Sequence, residues 1–224
     1  MFIVLYFYIA YTLSAWHPLI VLWECRNAEA ELKKEARPIA KITVAIKGIS
    51  PLIMHAFPLV PVEGYEKLKP SEQAEISAYR HPDTKELYIP GVNIQRALVS
   101  AATYSKGKGR VSLAKQAAAC LLVNPERVIL HSSTSNGSGV KEYQLDSRPV
   151  VIAATKGRIV RHRPRLDDWK AQFEIEYDET LLSEKDVRAI VDNMGSRVGL
   201  LEFRPERKGP FGRCMVTTWQ QQSQ

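Results

Sequence analysis

Residues 171–193, AQFEIEYDETLLSEKDVRAIVDN, read as a strand followed closely by a helix. Phe173, Ile175 and Tyr177 alternate with polar residues, the period-two pattern of a half-buried strand. Ser183 faces Asp186 in a capping-box start, and Val187, Ile190 and Val191 fall on one face of the helix behind it. Met194-Gly195 supplies the helix end. The next stretch, Gly199 to Trp219, holds a short apolar run (Leu200, Leu201, Phe203), a loop with Arg204, Arg207 and Lys208, the tight Gly209-Pro210-Phe211-Gly212 segment, and a strand-like run from Cys214. Strand, helix, glycine loop and strand make one complete unit.

An earlier unit is visible toward the N-terminus. Ile42 to Lys47 alternates as a strand, and Ser50 to His55 leads into a loop broken by Pro58, Pro61 and Pro70. Ser71 to Tyr79 reads as a short helix. Leu87 to Gly91 is a brief strand into a turn, and Val92 to Tyr104 is a helix with Ile94, Ala97, Leu98 and Ala101 on one face. Ser112 to Leu122 predicts a further helix and Val128 to Leu130 a short strand. Residues 148–154 and 157–162 flank Thr155-Lys156-Gly157 as a hairpin. Reduced to its core, the order is β (42–48), α (92–104), β (145–154), β (171–177), α (183–193), β (213–219). This βαββαβ order predicts an α+β, ferredoxin-like (RRM-like) fold, with inserted helices and a basic β-hairpin. The strands lack the paired aromatics by which RNA-recognition modules stack bases.

Composition places the chain among globular proteins: 224 residues, 45% apolar and 25% charged. The net charge of +7 favours polyanionic partners. Arg148 to Arg165 carries six Arg or Lys and no acid, hence +6 in that stretch alone. Lys106, Lys108, Arg110 and Lys115 form a second cluster, and the loop before the last strand forms a third. Cys25, Cys120 and Cys214 are too scattered for a disulfide framework or a zinc knuckle, which suits a reducing, cytoplasmic setting. Met1 to Trp23 has no charged residue and is long enough to cross a bilayer core of about 30 Å. It reads either as an anchor, followed on the cytoplasmic side by Arg26, Lys33, Lys34 and Arg37, or as upstream sequence translated from a mis-called start. The expected organisation is therefore a hydrophobic segment (1–26), a charged linker (27–40), the folded domain (41–219) and a polar tail (220–224).

The element order, its insertions and the glycine-rich loop resemble the RAMP superfamily of CRISPR-associated proteins. Gly199, Gly209 and Gly212 stand where that family's loop has its glycines, and Leu87 to Leu98, LYIPGVNIQRAL, is similar to its strand-turn-helix segment. Phage and mobile-element relatives share the same plan. The similarity spans Lys41 to Trp219; the chain departs from many backbone subunits in having no glycine loop after Ile49. The resemblance implies a non-catalytic subunit of a ribonucleoprotein assembly that binds single-stranded nucleic acid, RNA before DNA. It also implies head-to-tail copies of itself and other effector subunits as partners.

On that reading Lys156, Arg158, Arg161, Arg163, Arg204, Arg207, Lys208 and Arg213 neutralise phosphates. Gly209 and Gly212 bring backbone amides to the strand, and Phe211 either stacks on a base or pins the loop to the core. Some relatives are metal-independent ribonucleases with a histidine base, for which His55, His81, His131 and His162 are candidates by position, His55 first because it lies after the first strand. No cofactor is expected. Asp146, Asp167, Asp168 and Asp178 do not form a metal-ligand spacing, and P-loop and dinucleotide fingerprints are absent. A membrane-anchored interaction module is the third reading, and it depends on Met1 to Trp23 alone.

Overall fold

The computed structural model describes residues 38–107, 111–133, 137–151 and 155–222. The hydrophobic segment 1–26, nearly all of the charged linker, Lys108 and Arg110, and hairpin residues 152–154 lie outside the described residues. The domain itself begins at β1 (Ile39–Gly48), where Ala40, Ile42, Val44 and Ile46 are buried and Lys41 and Lys47 exposed. Period-two alternation puts the first set on a core face and the second on an open face. β1 pairs antiparallel with β8 (Lys170–Asp178), Ile42 opposite Ile175 and Val44 opposite Phe173. On its other side it pairs antiparallel with β9 (Cys214–Gln222), with a register shift between Ala45 and Ile46.

The main sheet continues beyond β8. Both β4 (Leu122–Asn124) and β5 (Arg127–His131) pair with it, and β3 (Tyr88–Pro90) pairs with β5, giving the order β3-β5-β8-β1-β9 with β4 beside β8. A second, three-stranded sheet has the order β2-β7-β6, from Leu52–Ile53, Arg158–Leu166 and Gln144–Val151. Every pairing is antiparallel. The architecture is thus mixed α/β, with antiparallel sheets and four α-helices among the described residues: α1 (Pro70–Ile76), α2 (Gly91–Ala101), α3 (Ala114–Cys120) and α4 (Glu184–Asn193).

The helices close the core. α2 buries Ile94, Ala97, Leu98 and Ala101, the i, i+3, i+4, i+7 stripe of an amphipathic helix. α4 buries Val187, Ile190 and Val191, and Ser183 caps it by accepting from the Asp186 amide. These side chains join Ile42, Val44, Phe173, Ile175 and Tyr177 in a single hydrophobic cluster. Burying each large side chain contributes about 1.5–3 kcal/mol. No helix among the described residues is long and apolar enough to cross a membrane.

Several expectations are corrected. The strand expected at 145–154 as a member of the main sheet belongs to the second sheet: β6 pairs along its whole length with β7 and not with β8. Its expected place is filled by β4 and β5. The short strand expected at Val128 to Leu130 is the centre of β5, though it stood outside the expected core order; β4 was hidden by its shortness, since three residues cannot show a clear alternation. The hairpin is also longer at its base than expected, because β7 runs on through Arg165 to Leu166. Leu52-Ile53, expected to lead into a loop, forms β2. α4 does end at Asn193 with Met194 as its C-cap, but the chain stays helical beyond it, in a π-helical turn, Met194–Val198, that ends at Gly199 with φ 75°. Gln220 to Gln222, expected in a polar tail, complete β9.

Candidate nucleic-acid interface

Two residues of β2 join the basic hairpin to the glycine loop. Leu52 and Ile53 pair with Leu166 and Arg165, and the Met54 amide donates to the Pro164 carbonyl at 3.0 Å. From the loop, the Gly212 amide donates to the Pro51 carbonyl (2.8 Å) and the Glu202 amide to the Ile53 carbonyl (3.1 Å). The arginines of β7 are thereby set beside residues 199–212.

Arg161, Arg163 and Arg165 occupy i, i+2 and i+4 of β7 and so share one face of the hairpin. Across the pair, Arg148 stands opposite Arg161 and Asp146 opposite Arg163. Arg148 donates to Asp146 at 2.7 and 2.9 Å, and its guanidinium lies 4.5 Å above the Phe211 ring. Arg165 approaches the same ring at 5.9 Å and pairs with Asp167. Arg161 lies 5.5 Å above the Tyr65 ring. Arg163 is buried at 7% exposure, 3.8 Å from Glu202 through one terminal nitrogen, while its Nε makes no hydrogen bond. Burial works against its charge and Glu202 offsets that.

The glycine loop is a built turn. The amides of Leu200, Gly209 and Phe211 donate to the carbonyls of Gly212, Arg204 and Phe203 at 2.9, 3.0 and 3.2 Å. With Gly212 bound to Pro51, the glycine amides are committed inside the chain, so a phosphate on this loop would be held by side chains and not by those N–H groups. Gly209 is needed because a Cβ there would lie 1.8 Å from the Phe203 carbonyl oxygen. Phe211, at 7% exposure and covered by Arg148 and Arg165, pins the loop to the fold, and its face is closed to a base.

Beside the loop is a cavity of about 230 Å³. Its lining includes Asn93 and Arg96 from α2, Arg204 and Arg207 from the loop, and His55 and Glu202. Arg204 is committed to Glu206 (2.6 Å) and to the Leu201 carbonyl (2.8 Å). Arg96 and Arg207 are exposed and make no ion pair among the described residues. His55 lies 3.9 Å from Glu202. Burial first, and then Arg163, hold its imidazole below the ordinary histidine value, so it is neutral at pH 7.

The structure therefore brings together His55, Arg161, Arg163, Arg204, Arg207, Gly209, Phe211 and Gly212. Lys156 and Arg158 do not join them. Arg158 forms the last pair among the described hairpin residues, opposite Val151, and the side chains of Lys156 and Arg158 are exposed. Lys208 and Arg213 are exposed at the loop's margin, and the Arg213 amide donates to Ser50 Oγ at 2.9 Å. Arg96, Asn93, Tyr65, Glu202 and Tyr79, which also lines the cavity, were not foreseen. Asn93 and Arg96 stood in the Leu87–Leu98 segment as an i, i+3 polar pair, a signal legible in the sequence. Tyr65 and Glu202 arrive from distant segments with no local signal.

The open face of the main sheet is different in kind. It carries Lys41 and Thr43 from β1 and Gln172, Glu174 and Glu176 from β8. Lys41 pairs with Glu176 at 2.7 Å, and Gln222 bonds Thr43 and Glu174 at 3.0 and 2.9 Å. Trp219 of β9 packs against the helix-side core and donates to Glu184 at 2.7 Å. Among the described residues of β1 and β8, no aromatic faces the open side. Compared with models of known protein families and with curated proteins, the sequence matches none.

Proposed function

We propose that the chain is a non-catalytic subunit that binds single-stranded nucleic acid, RNA in the first place, along the surface running from β7 to the glycine loop and α2. The carrying observation is the grouping of Arg161, Arg163, Arg204, Arg207 and Arg96 around two carboxylates, Glu202 and Glu206. Excess guanidinium on one continuous surface suits a phosphate chain. In line with the RAMP-like reading, we take the main sheet as a ferredoxin-like core. Its support is the strand order β9-β1-β8-β5, with α2 between β1 and β5 in the chain and α4 directly after β8. Assembly into head-to-tail copies, other effector subunits and a cytoplasmic setting belong to the same proposal.

A salt series with labelled single-stranded RNA, single-stranded DNA and duplex tests it. Affinity is expected to fall steeply with salt. Arg161→Gln and Arg207→Gln are each expected to reduce the salt slope by about 0.7, the loss of one contacted phosphate. Flat salt dependence, or slopes unchanged in both variants, would remove the phosphate-binding surface from the account.

The placement of His55 favours a second reading, a metal-independent endoribonuclease. A neutral imidazole among Arg161, Arg163 and Glu202 has the protonation state of a general base. Because its value is lowered, such a base stays active as pH falls through about 6.5, the ordinary histidine range, and is lost only below that. The same labelled strands report on this reading: discrete cuts that vanish in His55→Ala would move it to first place.

A further inference from the structure

Two cavities meet at His55, and their chemistry differs. The first is the cationic cavity of Arg96, Arg204 and Arg207. The second, of about 240 Å³, is lined by Ala56, Phe57, Pro58, Tyr65, Ser77 and Arg161. Phe57 is 85% exposed, a large ring that the fold itself leaves uncovered. The Tyr65 ring lies beneath the Arg161 guanidinium, and its hydroxyl is 3.3 Å from Ser77 Oγ. Aromatic rings, a flat guanidinium and a polar floor are the features that hold an unstacked nucleobase. Guanidinium groups around the neighbouring cavity suit a phosphate. His55 is common to both linings, so one ligand filling both would place a flat ring and an anion a single side chain apart. A nucleotide has that layout.

We propose that the paired cavities form a nucleotide-recognition site, with the base between Phe57, Tyr65 and Arg161 and its phosphate among Arg96, Arg204 and Arg207. Where the nucleotide is part of a strand, this rests on the strand-binding reading and adds to it a base preference that charge alone does not supply. A free nucleoside monophosphate carries the same chemistry.

The test uses the full chain and labelled rA, rC and rU strands of about twelve nucleotides, within the span of known single-strand sites. Nucleoside 5′-monophosphates serve as competitors and are also titrated directly. Wild-type protein is expected to rank the three homopolymers. Phe57→Ala is expected to lower affinity for the preferred one about fivefold and flatten the ranking. Its salt slope stays unchanged, since no charge is removed. Arg96→Gln is expected to weaken all three alike. Competition by monophosphates in the same base order assigns the site to free nucleotides as well; an intact ranking without competition assigns it to nucleotides within a strand. Equal affinity for all homopolymers, unaltered in Phe57→Ala, would overturn the nucleotide site and leave strand binding standing. Monophosphate binding without strand binding would do the reverse. Binding to neither would overturn both.

Discussion

Gly212→Ala is expected to destabilise the fold by about 3 kcal/mol, the sum of left-handed strain and a forced backbone shift. Gly212 has φ 70°, and a Cβ on it would lie 2.1 Å from the Leu200 carbonyl oxygen and 2.8 Å from the Leu200 nitrogen. Those neighbours are backbone, and Leu200 donates its own amide to the Gly212 carbonyl, so neither can retreat without breaking the turn. The same residue donates to Pro51, which ties the loop to β2. Urea denaturation should show a lower midpoint at an unchanged slope. Gly64→Ala serves as the comparison. Gly64 also has positive φ, but nothing lies within 4 Å of its built Cβ, so it carries only the dihedral cost of about 1–2 kcal/mol. If the two variants lose the same stability, the packed turn described for residues 199–212 is wrong.

Trp169→Ala is expected to cost about 3–5 kcal/mol, the range for removing a large buried aromatic. Trp169 is 1% exposed, its Nε1 donates to the Ser50 carbonyl at 2.9 Å, and its own carbonyl accepts from the Gly48 amide at 2.9 Å. It therefore fixes the connection through which β1 leaves the main sheet for β2. A Cβ on Gly48 would lie 2.2 Å from the indole nitrogen, which explains a glycine there. Trp169→Phe keeps most of the packing and leaves the Ser50 carbonyl without its donor, so its expected loss is smaller. Thermal unfolding of the two variants separates the packing contribution from the hydrogen bond. A near-neutral Trp169→Ala would mean that the two sheets are not joined at this point.

The contrast between what was legible and what was not follows from range. β1, β8, α2 and α4 announce themselves because each carries a full period of alternation or a complete apolar stripe, as in Phe173-x-Ile175-x-Tyr177 and Ile94, Ala97, Leu98, Ala101. β4 has three residues and β2 has two, too few for any period, and both exist because longer partners supply the ladder. The hairpin was legible as a hairpin, but its sheet was not, since nothing in Arg158 to Leu166 states that β2 lies on the other side of β7. The same holds for the site. Clustered arginines were visible as charge, whereas their division between β7, the loop and α2, and the committed amides of the glycine turn, depend on β2 bridging distant segments. Phe211 shows the limit clearly: its type fits base stacking, and only the cover of Arg148 and Arg165 assigns it to the fold.

The central claim is that a single strand lies against β7, the glycine loop and α2, and not on the open face of the main sheet. Ultraviolet cross-linking of the full chain to single-stranded RNA, with the attached peptides identified by mass spectrometry, tests this directly. The account predicts cross-links at Phe57 and Tyr65 and within residues 158–166 and 199–213. Cross-links confined to β1 and β8, around Thr43 and Gln172, would contradict it.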